Sequence, residues 1–251
     1  MLVTCGEGEV EAPEEILALS APRTRYANFL SSSAREVLIE VSRSETSPPG
    51  GTPLGEPYPP TAMVRLDGNH LQGYIADEAL AAEAVLRIAW QVAVHRGGGL
   101  LMHGCSFHWN GLGVAAIGQS GAGKSTLARL SRLHPAHASL LSDEIVHLMP
   151  DGVVYGTPFR SDPDNEGSPG PARLRGLLLL AHGQQESLEA VSAAEALPVL
   201  FGQLYVPVIP VVPSGELRRR LMTLVDTVGV YRLTFRKDPA VGTFLRDWVS
   251  K

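Results

Sequence analysis

The run Gly118-Gln119-Ser120-Gly121-Ala122-Gly123-Lys124-Ser125 has residue types and spacing suited to phosphate chemistry. Its glycines let backbone N–H groups curl round a polyphosphate. A helix opening at the lysine aims its positive end at the same charge. Lys124 can reach the β- and γ-phosphates, and the Ser125 hydroxyl can ligate Mg²⁺. With Thr126, these residues form a candidate binding loop for ATP and Mg²⁺. The alternative, a glycine-rich turn before an ordinary helix, gives no reason for the lysine and serine to stand in register.

Such a loop needs a carboxylate from a neighbouring strand. Asp143-Glu144 follows the core-like pair Leu140-Leu141, and successive strand residues point opposite ways. One acid can therefore face a metal while the other hydrogen-bonds water or an acceptor hydroxyl; the alternative is two solvated acids ending a strand. His103 lies in an apolar run leading towards the loop, where a histidine is either a core residue or a site residue. Arg175, before Leu177–Leu180, and Arg160, in a long loop, are candidate phosphate clamps or ordinary surface arginines.

These side chains need elements to hold them. Val114–Ile117 reads as a buried strand feeding the loop, and Leu127, Leu130 and Leu133 share one face of the helix leaving it. Leu100–Cys105 predicts a strand, with Phe107–Gly111 as the turn into the next. Ser139–Val146 predicts a strand ending in the two acids. Val153–Tyr155 and Leu177–Leu180 are shorter strands, and residues 156–171 form a long loop beside the presumed site. Ser192-x-x-Glu195 is a capping box for a helix to about Gln203. Helices are also expected over Glu216–Val225, with Arg218, Arg219 and Arg220 solvated, and over Ala240–Val249; Tyr231–Phe235 alternates as a strand.

Upstream, Val37–Val41 suits a strand, and Met63–Asn69 turns into a second strand over Leu71–Ile75. A helix capped by Asp77 carries Leu80, Ala84, Leu86, Ile88 and Val92 to His95, and Gly97–Gly99 stops it. Residues 46–61 are too rich in Pro and Gly for a helix or central strand. The expected organisation is a small α+β module over 1–97 and a nucleotide-binding core over 98–251, in the α/β class.

The formal charge of −5 argues against nucleic acid or an anionic membrane as the main partner. Cys5 and Cys105 lack metal-ligand spacing and are expected to be reduced. No apolar run approaches the ~18 residues of a membrane span, and the acidic start is unlike a secretory leader. The expectation is a cytoplasmic protein.

From Leu101 to Leu180 the chain resembles the HPr kinase/phosphorylase family, related in its core to ATP-dependent phosphoenolpyruvate carboxykinases. Leu101-Met102-His103-Gly104, Gly111-Leu112-Gly113-Val114, the Gly118–Ser125 loop and Leu141-Ser142-Asp143-Glu144 match consecutive motifs of that family in order and spacing. The resemblance implies a histidine, His103, beside the transferring phosphate. It also implies that Asp143 is the base on an acceptor serine and that Glu144 helps hold the metal. Arg175 in Ala172-Arg173-Leu174-Arg175-Gly176 matches a phosphate-side arginine, although Arg173 replaces a family glutamate and Ala181 an asparagine. Residues 1–95 do not resemble that family's N-terminal domain. Gly156-Thr157-Pro158-Phe159 and Leu174–Leu177 look like the HPr-kinase-related proteins found near genes for modified peptides, which include kinases that phosphorylate a serine of lasso-peptide precursors.

The implied activity is ATP-dependent phosphorylation of a Ser or Thr hydroxyl on a peptide or small protein, with homo-oligomers as in the related family. A kinase of small hydroxyl compounds and a non-catalytic nucleotide-binding switch are the other readings open.

Overall fold

The structure is a computed structural model describing residues 1–20, 27–30, 37–46, 48–54, 63–74, 79–119, 121–133, 135–161 and 165–251. Ser120, the cap residue Asp77, Ile75 and half of the Pro/Gly-rich stretch lie outside the described residues. Among those described, the fold is mixed α/β, with two mixed sheets and six α-helices.

The first sheet holds β1 (Leu2–Cys5), β2 (Gly8–Glu11), β3 (Val37–Ser44), β4 (Thr52–Pro53), β5 (Met63–Asp67) and β6 (His70–Tyr74), with α1 (Glu14–Ser20) inserted after β2. Its order is β1-β2-β3-β6-β5-β4. Proline cannot donate to an interior ladder, and the described residues of the Pro/Gly-rich stretch contribute the edge strand β4.

The chain then enters α2 (Ala79–Arg96), which touches β3 and β7 (Leu100–Trp109), one strand from each sheet. The apolar period predicts one buried face, yet every residue from Ala81 to His95 is buried. Contact with both sheets covers the helix all round. The polar residues Glu83, Arg87, Gln91 and His95 recur at every fourth position, so they form a buried polar stripe.

The second sheet begins at β7 and continues with β8 (Leu112–Ile117), α3 (Lys124–Arg132), β9 (Ser139–Ser142), β10 (Ile145–Leu148), β11 (Val153–Tyr155), β12 (Ala172–His182) and β13 (Ser187–Val191). It is completed by α4 (Ala193–Phe201), α5 (Ser214–Val228), β14 (Val230–Phe235) and α6 (Ala240–Val249). The main order is β11-β10-β7-β8-β12-β14-β13. β8, β12 and β14 are parallel neighbours, so their carboxyl ends meet at one edge, where open α/β sheets bind ligands.

Alternation along β8 builds the two faces. Val114 and Ala116 join the core under α3 and α6, with Leu127, Ala128, Val241 and Leu245. Ala115 and Ile117 face the opposite core, with Leu200 of α4 and Leu221 and Leu224 of α5. Leu133, expected on the apolar face of α3, is its exposed C-cap. The Ser192 side chain caps α4 by accepting the Glu195 N–H, and that helix ends at Phe201 rather than Gln203.

Two strand boundaries differ from expectation. β7 runs to Trp109, leaving only Asn110 and Gly111, at φ 51° and 82°, as a tight turn into β8. Positive φ at both central residues matches the twist of a two-residue hairpin. The acids Asp143 and Glu144 do not end a strand: β9 and β10 both lie antiparallel to β7, and the two acids form a break between them.

Candidate functional site

The loop from Gly118 to Gly123 joins β8 to α3, with Gly121 at φ 82° and Gly123 at φ 98°. These left-handed conformations strain any residue with a Cβ. No side chain caps the start of α3, and Lys124, Ser125 and Thr126 line a cavity of about 280 Å³. Gly121, Gly123, His103, Asp143, Ser161, His182 and Lys237 complete its wall.

Lys124 is buried and folded over its own loop, its Nζ donating to the Gly118 and Gln119 carbonyls at 2.7 Å each. Burial pulls its pKa below the ordinary lysine value, with Asp143 among the groups opposing the shift. The cation is thus held at the cavity floor by weak neutral acceptors, which a phosphate can replace with charge-assisted hydrogen bonds.

Asp143 is almost wholly buried in the break between β9 and β10. Ser161 Oγ donates to Asp143 Oδ2 at 2.9 Å and lies 3.1 Å from Ser125 Oγ. With its one proton on Asp143, Ser161 receives the Ser125 hydroxyl as donor. A continuous chain of oxygens therefore runs from the start of α3 to the buried carboxylate.

The 156–171 loop delivers Ser161 through fixed anchors. Thr157 N–H donates to Ser142 Oγ at 2.8 Å, and Thr157 Oγ1 donates to the Ile145 carbonyl at 2.7 Å. Phe159 is buried edge-on against Trp90 of α2, with ring centroids 5.5 Å apart. Beyond Ser161, Asn165 Oδ1 accepts from Arg132 at 2.7 Å.

His103 lines the same cavity from β7, next to the Gly104–Ile117 pair at the end of β8, and its backbone N–H donates to the Gln203 carbonyl at 2.8 Å. Burial first, and then the Lys124 cation, lower its pKa, so a neutral imidazole faces the cavity near pH 7.

Three candidate residues lie off the cavity wall. Glu144 is turned to α2, where Arg87 donates to its Oε2 at 2.7 Å. Arg87 also donates to Glu83 at 2.7 Å, and Glu144 is absent from the cavity wall. The alternation expected of the two acids holds, but the second finds an arginine where a metal was expected. Arg175 is exposed, with its guanidinium 5.9 Å from the Trp248 ring. It sits beside Gly113 and Val114 in the β8–β12 register, about 10 Å of strand short of the edge where the loop emerges. Arg160 is half-buried in the 156–171 loop and does not line the cavity.

Ser161, His182 and Lys237 were not singled out from the sequence. His182 ends β12 and Lys237 follows β14, so the carboxyl ends of parallel strands were a usable signal for both. Nothing local marks Ser161.

Of the residues that could hold Mg²⁺, the Ser125 hydroxyl and the Asp143 carboxylate fit: both are hard oxygen donors joined through a single hydroxyl. Among the described residues, no three His, Cys, Asp or Glu side chains cluster as a metal site. A hard cation here would share its coordination with phosphate oxygens and water. No protein-family model matches the chain, and no curated protein does.

Proposed function

We infer that the protein is an ATP-dependent kinase, of the HPr kinase type in its core, that phosphorylates a Ser or Thr hydroxyl on a peptide or small protein. The observation carrying this reading is the hydroxyl–carboxylate pair Ser161–Asp143, touching Ser125 at the start of α3. A phosphate-binding loop alone fits any nucleotide-binding protein. A buried carboxylate accepting a hydrogen bond from a hydroxyl beside it is the arrangement phosphoryl transfer to an alcohol requires.

In this reading the loop backbone and Lys124 hold the β- and γ-phosphates, and Ser125 ligates Mg²⁺. Mg²⁺, when bound, neutralises charge on the phosphates. Asp143 orients the acceptor hydroxyl and takes its proton, and neutral His103 can donate a hydrogen bond towards the transferring group. Glu144, paired with Arg87, stands away from the cavity wall.

The test is incubation of the chain with γ-labelled ATP, Mg²⁺ and either serine-containing peptides or small alcohols. Label on peptide, absent with Lys124→Ala, supports the reading. Label only on small alcohols makes it a small-molecule kinase. Tight MgATP binding with no phosphorylated acceptor leaves a nucleotide-binding switch.

A further inference from the structure

We propose that Ser161 is itself a phosphoryl acceptor, modified within the same molecule by ATP held on the Gly118–Thr126 loop. The proposal rests on the kinase reading above and adds to it a substrate carried by the chain. An acceptor hydroxyl must meet two conditions at once: contact with the base, and a position beside the γ-phosphate. Ser161 Oγ meets the first at 2.9 Å from Asp143 Oδ2. For the second, it lies 3.1 Å from Ser125 Oγ, the hydroxyl that would hold Mg²⁺ with the phosphates of bound ATP.

The placement is built rather than incidental. On one side of Ser161 the chain is held by the Thr157 hydrogen bonds and by Phe159 against Trp90. Arg87 stacks over the same Phe159 ring at 5.1 Å from its centroid. On the other side Asn165 is held by Arg132 of α3, and the Ser168 N–H donates to the Leu140 carbonyl at 3.1 Å. The loop thus presents one hydroxyl to the cavity from a tethered position, and tethering is what makes an intramolecular step efficient.

In the step, Ser161 Oγ attacks the γ-phosphorus as its proton passes to Asp143 Oδ2. A new P–O bond forms, and the bond from the γ-phosphorus to the β,γ-bridging oxygen breaks. The electron pair of that bond leaves with ADP. The products are ADP, a phosphoserine at position 161 and a proton that Asp143 returns to solvent.

The experiment uses the full chain with γ-labelled ATP and Mg²⁺ and no added acceptor. MgATP binding is read by calorimetry, ADP by chromatography and the modified residue by tandem mass spectrometry. Expected are up to one phosphoryl group per chain on Ser161 and a first-order rate unchanged over tenfold dilution. Ser161→Ala abolishes the label, and Ser161→Thr restores it as phosphothreonine. Asp143→Asn, assayed at MgATP concentrations that saturate it, stays unlabelled. ADP formation, or transfer to a serine peptide, with Ser161 unmodified overturns the proposal while leaving the kinase reading intact. Label on another residue, or a rate proportional to protein concentration, also overturns it. A chain that binds no MgATP removes the kinase reading and the proposal together.

Discussion

Asp143 and Arg175 carry opposite expectations at the scale of single residues. Asp143 is the one carboxylate lining the cavity among the described residues, and it already accepts a hydrogen bond from a hydroxyl. Asp143→Asn keeps the shape but removes the base, so turnover should fall by about 10²–10⁴. MgATP affinity measured by calorimetry separates a base from a metal ligand: within a few-fold of wild type for a base, and collapsed with Mg²⁺ alone for a ligand. Arg175→Ala should leave both affinity and turnover within about threefold, because its guanidinium lies over Trp248. A loss of about 100-fold in the purified chain would return Arg175 to the phosphate. The difference between these residues shows what was readable. The Gly118–Ser125 loop is local chemistry, complete in eight consecutive residues. The destinations of Glu144 and Arg175 depend on partners 57 and 73 positions away, Arg87 and Trp248. No spacing rule carries that information.

At the scale of elements, the polar stripe of α2 ties the helix to the site. Arg87 lies between Glu83 and Glu144 and over Phe159. Burial alone would depress its charge, but the two carboxylates outweigh that and raise its pKa. Arg87→Met strands both acids, a change worth about 3 kcal/mol for a buried pair that loses one partner. The melting temperature should then fall by roughly 6–12 °C, by calorimetry. Adding Glu83→Gln should recover part of it, and equal Tm values for wild type and Arg87→Met would show that solvent already supports the pair. Element types were legible wherever one side of an element decides: β8, α3, α5 and α6 follow their apolar periods. α2 was legible as a helix but not as a helix buried all round, since that follows from contacts with both sheets. Arg220 gives the same lesson. Expected in solvent, it is half-buried, donating to Glu216 and to the His95 and Gly99 carbonyls.

At the scale of the whole molecule, the end of α2, β10 and α5 meet around two buried histidines. Burial first, and then the Arg220 cation, lower His95 to about 4; burial first, and then His95, lower His147 to about 3. Unfolded, each has the ordinary value of about 6.5. From pH 6.5 down to about 4 the unfolded chain therefore binds protons that the folded chain refuses, and stability falls with pH. Each histidine contributes at most about 1.4 kcal/mol per pH unit in that window. Urea unfolding from pH 7 to 4.5 should show the decline, and His95→Leu should flatten it; an equally steep decline in that variant would assign the slope to other groups. Among the described residues, no helix is long and apolar enough to cross a membrane. Whole-molecule packing also supplies an optical signal. Trp90 is fully buried and meets Phe159 edge-on, two residues before Ser161. In a chain carrying Trp109→Phe and Trp248→Phe, its emission would be a single blue-shifted band whose intensity follows the seating of Phe159. MgATP should change that intensity if the loop shifts as nucleotide enters, and stopped-flow fluorescence would then time the loop directly, with no label attached.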